Sequence, residues 1–94
     1  MEIMLRRKNI KEISNILSGI NDADLIEKLL NELFTENELS NLSSRWEIVK
    51  LLDKGITQRK IAKDLHLSLC NITRGSKELN KKNSAMKKIL ELIK

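Results

Sequence analysis

The sequence predicts an all-α fold of six helices, and three observations carry that expectation. No proline and only three glycines occur in 94 residues, so almost nothing breaks a helix from within. Apolar residues recur every three or four positions instead of alternating, the period of a helix rather than a strand. Hydroxyl-bearing and glycine residues then stand where those apolar stripes begin and end.

In chain order, the first helix covers about residues 2–17, with Ile10, Ile13 and Leu17 on one stripe, and stops near Gly19. The second opens after Asn21 and shows Leu25, Ile26, Leu29, Leu30 and Leu33, a face broader than a small surface helix needs. Thr35-Glu36-Asn37-Glu38 is a capping box, in which the Thr and Glu side chains each satisfy an orphan backbone N–H. It opens a long third helix that aligns Leu39, Leu42, Trp46, Val49 and Leu52, with Trp46 read as core, and that ends near Lys54 before Gly55. Thr57 and Ser68 each precede a short helical segment whose first N–H groups they can cap. A last helix starts near Ser84 and is expected to bury Met86, Ile89, Leu90 and Ile93. The short links leave no place for a linker. One domain is therefore expected over 1–94, with core and dimerisation helices over 1–54, a two-helix unit over 57–80 and the last helix over 83–94.

The two-helix unit carries the most information. Gln58 to Lys77, QRKIAKDLHLSLCNITRGSK, fit a helix-turn-helix almost position by position. Ile61, Leu65, Leu67 and Ile72 fall where two short helices must touch, and small Ala62 where they approach most closely. His66 holds the turn position usual for glycine, because histidine tolerates left-handed backbone better than most residues. Gln58, Arg59, Lys63, Asn71, Thr73 and Arg74 point outward, able to meet phosphates or base edges. Charge agrees with this placement. Residues 1–47 hold six Lys/Arg against nine Asp/Glu, whereas residues 48–94 hold twelve against four, a polyanion-binding half on an oppositely charged scaffold.

The first three helices carry more Leu and Ile than a small reading head can cover, and leaving them in water is costly at about 25 cal/mol per Å². An intertwined homodimer resolves this better than a loosely packed monomer. It also sets two reading helices in successive major grooves of a palindromic site. Other classes fit poorly. One His and one Cys leave no recognisable catalytic or metal-ligating constellation. The lone cysteine suits a reducing cytosol, and the charge-interrupted N-terminus resembles neither a signal peptide nor a membrane span, so a cytoplasmic protein is expected. The basic C-terminal stretch KKNSAMKKILELIK keeps an adaptor for a membrane surface or acidic partner as a weaker alternative.

From Leu33 to Leu79 the chain resembles the Trp repressor family of tryptophan-sensing bacterial regulators. The resemblance rests on Ile72-Thr73-Arg74-Gly75-Ser76, on Thr57-Gln58-Arg59, on Ser44-Arg45 and on Leu33-Phe34-Thr35. The family's six-helix order and length agree as well. The resemblance implies L-tryptophan as corepressor, held between the third helix and the reading helix with its indole between the guanidinium groups of Arg45 and Arg74. A guanidinium can stack on an aromatic face and fork onto a carboxylate. Thr35 would lie at the ligand's polar end, carbonyls around Leu33 and Phe34 would face its ammonium, and Val49 would line the indole floor. Gly75 would let the ligand or a neighbouring helix come close. Glu78 either pairs with the ammonium or stands apart from it. On spacing alone Arg45 reads as a solvated charge or a partner for Glu38 rather than a ligand contact, and Arg74 could touch only a phosphate. The implied DNA face adds Ser68, sets Leu69, Cys70, Asn71 and Thr73 near bases, and sets Lys77, Lys81 and Lys82 near phosphates. The strongest rival is a regulator of the same fold that takes another ligand or none.

Overall fold

Side-chain caps start every helix after the first. The computed structural model describes all 94 residues as α1 (Glu2–Ser18), α2 (Ala23–Leu33), α3 (Glu36–Asp53), α4 (Gln58–Leu65), α5 (Leu69–Leu79) and α6 (Ala85–Leu92), an all-α chain. Asp22 accepts from the N–H of Leu25, Thr57 from Lys60, Ser68 from Asn71 and Ser84 from Lys87. At α3 the expected capping box is complete: Glu38 N–H donates to Thr35 Oγ1 at 3.2 Å, and Thr35 N–H donates to Glu38 Oε1 at 2.9 Å. Each cap replaces water at a backbone donor that the helix itself leaves unpaired.

Contacts within the chain gather into two units, residues 1–39 and residues 40–94. The first holds α1, α2 and the opening turn of α3. None of the residues of α1 or α2 is buried. Ile13, Leu17, Ile26, Leu29 and Leu30 are half-buried, while Ile10, Ile16, Leu25 and Leu33 stand more than half exposed.

The second unit packs α4, α5 and α6 with the C-terminal part of α3. Ile48, Ile61 and Ile72 form one buried cluster, flanked by Leu51, Leu52, Ile56, Ala62, Leu65 and Leu67. Val49, Leu79 and Leu90 form another, flanked by Leu52 and Met86. Leu52 touches both, so the α4–α5 pair and α6 share one support. The α4–α5 turn depends on His66 at φ 55°, whose N–H and that of Leu67 both donate to the Ala62 carbonyl. Left-handed backbone also occurs at Gly55 (φ 85°), which ends α3, and at Asn83 (φ 63°), a turn residue that the sequence did not flag. Lys94 Nζ meets Asp53 Oδ2 at 3.0 Å and ties the chain's last residue to the end of α3.

Two expectations about the core need correction. Trp46 and Leu42 are exposed at 36% and 43%, and Ile48 takes the core position instead. Two residues along a helix turn about 200° around it, so a helix that buries Ile48 against Ile61 of α4 and Ile72 of α5 points Trp46 the other way. In α6 only Leu90 is buried, with Met86 half-buried, while Ile89 and Ile93 are exposed. A helix this short meets Val49 and Leu79 along one narrow line.

Candidate ligand cleft and nucleic-acid face

A cleft of about 420 Å³ opens in the second unit between α3 and α5, within the range of small-molecule sites. Its walls are two helical stripes with the same spacing. Asn41, Ser44, Arg45 and Ile48, together with Val49, come from α3, and Asn71, Arg74, Gly75 and Glu78 from α5. Residues at i, i+3, i+4 and i+7 lie on one side of a helix, so each sequence stripe becomes one wall. Leu67 and Met86 complete the lining.

Five residues singled out for the ligand thus share this cleft: Arg45, Val49, Arg74, Gly75 and Glu78. Val49 supplies buried apolar surface, and both arginines are exposed. Gly75 is explained by packing. A Cβ built there would stand 3.1 Å from Ile48 Cγ2 and 3.8 Å from Leu52 Cδ1, so α5 approaches α3 closely enough that a side chain at this position would crowd Ile48. Glu78 accepts from Lys81 Nζ at 2.9 Å. Arg45 forms no ion pair with Glu38; that glutamate closes the α3 cap. Leu33, Phe34 and Thr35 belong to the first unit, where Leu33 and Phe34 are exposed and Thr35 Oγ1 caps α3. The cleft is lined by the second unit alone.

Asn41, Ser44, Ile48, Leu67 and Met86 were not singled out as ligand residues. The first three follow from the helical repeat once Arg45 is fixed. Leu67 and Met86 arrive through tertiary packing of a turn and a different helix, for which no local pattern exists.

The outer side of the reading head presents the other group. Ser68 caps α5, and Leu69, Cys70, Asn71, Thr73 and Lys77 are exposed along it. Arg59 and Lys63 are exposed on α4 and Lys81 just beyond α5. Gln58, half-buried, accepts a hydrogen bond from Thr73 Oγ1 at 3.0 Å. That bond engages the amide oxygen and leaves the NH₂ free to donate outward. Asn71 belongs to both surfaces, since it is exposed and also lines the cleft. No helix of the chain is long and apolar enough to cross a membrane.

Known proteins resemble this chain over most of its length. The family described as "Trp repressor protein" matches residues 8–94. A Vibrio parahaemolyticus protein named "Trp operon repressor homolog" is 36% identical over 84 residues, covering 88% of this chain and 82% of that protein. A Chlamydia trachomatis serovar L2 protein of the same name is 36% identical over 70 residues, 69% of this chain and 74% of that one. The Bacillus subtilis protein named "Uncharacterized protein YerC" is 29% identical over 90 residues, 96% of this chain and 86% of its own. No solved structure matches the chain at comparable significance.

Proposed function

The chain belongs to the Trp repressor family, and from that premise we propose that it is a cytoplasmic transcriptional repressor whose corepressor is L-tryptophan. It binds a palindromic double-stranded DNA operator as an intertwined homodimer and acts by binding, not catalysis. The observation that carries this reading is the shared use of α5. One side lends Arg74 and Gly75 to a cleft with Arg45 and Val49, and the outer side exposes Leu69, Cys70 and Thr73. A ligand filling the cleft therefore presses on the helix that reads DNA.

The indole ring enters between the guanidinium groups, stacking on their planes, and the carboxylate is held by the same cations. Filling the cleft fixes α5 relative to α3 and holds the two heads at the spacing of successive major grooves, about 34 Å. Ligand and operator then favour the same arrangement, so each strengthens binding of the other by an equal factor. Calorimetric titration with L-tryptophan tests this directly. One site per chain, together with tighter binding to a tryptophan-operon operator in its presence, is the expected result. No heat and no thermal stabilisation at millimolar ligand rejects the corepressor assignment. A second reading, a family member that takes another ligand or none, is favoured by the Glu78–Lys81 pair, which adds two charges beside the site.

A further inference from the structure

Helix α1 carries four cations, Arg6, Arg7, Lys8 and Lys11, against two carboxylates, Glu2 and Glu12, and all six residues are exposed. At about 100° per residue, Arg7, Lys8 and Lys11 fall within about 100° of arc around the helix, and Ser14 and Ser18 extend the same side. Apart from Glu2 and Glu12, the first unit's carboxylates lie in residues 22–38. Glu12, four residues after Lys8, is the one acid at helical contact spacing from any of the three cations. The chain's four ion pairs all lie at or beyond residue 47, so Arg7, Lys8 and Lys11 pair with no carboxylate. Like charges three and four residues apart destabilise a helix, and nothing in α1 offsets them. An extended anion laid along this side does.

We propose that the Arg7, Lys8 and Lys11 side of α1 is a second contact for DNA, one that grips the phosphate backbone without reading sequence. The proposal rests on the DNA-binding reading and extends it from the reading head to the first unit. Ile10, Ile13 and Leu17 occupy another side of α1, centred about 130° away. A second copy can cover that apolar side while the basic side meets phosphates. A membrane surface allows no such division, because an amphipathic helix lies on lipid by inserting its apolar side. Cations on phosphates release condensed counterions. Affinity therefore falls with salt more steeply than the head alone would make it, while the choice of bases stays with α5.

Fluorescence anisotropy of a random-sequence DNA duplex, titrated with the full-length protein over a range of salt, tests this in wild type and two triple variants. One variant combines Arg7→Gln, Lys8→Gln and Lys11→Gln. The other removes equal charge elsewhere, through Lys28→Gln, Lys87→Gln and Lys88→Gln. Each phosphate contact contributes about 0.9 to the slope of log K against log salt, so the α1 variant should lose about 2.7 of that slope and the control much less. All six positions are exposed and glutamine is a good helix former, so unchanged melting temperatures would verify the fold. Equal slopes in the two variants, or a wild-type slope in the α1 variant, overturn the α1 contact and leave the reading head's role standing. Failure of wild type to bind the duplex overturns both. Wild-type binding to phosphatidylserine–phosphatidylcholine vesicles that the α1 variant loses, with its DNA slope unchanged, overturns the proposal in favour of lipid.

Discussion

Arg45 and Arg74 both line the cleft, yet they differ in what else they touch. Arg74 sits on the reading helix and Arg45 on α3, away from the outer residues of the head. Arg74→Ala should therefore abolish the tryptophan response and weaken operator binding even without ligand. Arg45→Ala should damage the ligand response alone. Gel-shift titrations with and without tryptophan separate the two, and a wild-type response in both variants would show that the cleft is not the sensor. Gly75 gives a stability test. Alanine ordinarily gains about 1 kcal/mol over glycine within a helix, but here its Cβ would press on Ile48, which is 2% exposed and wedged against Ile61 and Ile72. Overpacking of this kind costs about 1–3 kcal/mol. Gly75→Ala should therefore lower the melting temperature, by about 4–8 °C for a net loss near 1 kcal/mol. A rise would mean that Ile48 has room to move.

At the scale of elements, local chemistry was the most legible part of the sequence. The capping box at Thr35 and Glu38, the caps at Thr57 and Ser68 and the left-handed turn at His66 are settled by residues within four positions of one another. Which side of a helix is buried was less legible. Helix α3 carries apolar residues on several sides, so periodicity favoured Trp46, whereas the packing of α4 and α5 favours Ile48. The cleft divides the same way: its helical stripes could be read from the spacing, but Leu67 and Met86 could not. The turn offers its own test. Non-glycine residues in left-handed backbone carry strain of about 1 kcal/mol or more. His66→Gly should leave the protein as stable or slightly more so, while β-branched His66→Val should destabilise it by about 1–2 kcal/mol. Equal melting temperatures for the two variants would count against a strained turn.

For the whole molecule, the contrast between the two units matters most. All the buried apolar residues belong to the second unit, and the first buries none within α1 or α2. Helices of 17 and 11 residues without a buried face are marginal in water. On the proposed dimer, a second copy supplies the missing cover, so folding and association become one event and the melting temperature rises with protein concentration. Leu25, 51% exposed in the single chain, reports on this. Leu25→Glu should sharply raise the concentration at which the dimer dissociates and, with folding tied to association, lower the melting temperature at a fixed protein concentration. Sedimentation equilibrium measures that shift, and an unchanged dimer would place Leu25 outside the contact.

Cys70, free, exposed and the chain's sole thiol, is the second residue of α5. Nature has thereby left a single attachment point on each reading helix. On the proposed dimer, a nitroxide label on the unaltered protein would give one interspin distance, a ruler laid directly between the two heads. Ligand should narrow that distance distribution, turning the spacing of the heads into something that can be watched in solution before any operator is known.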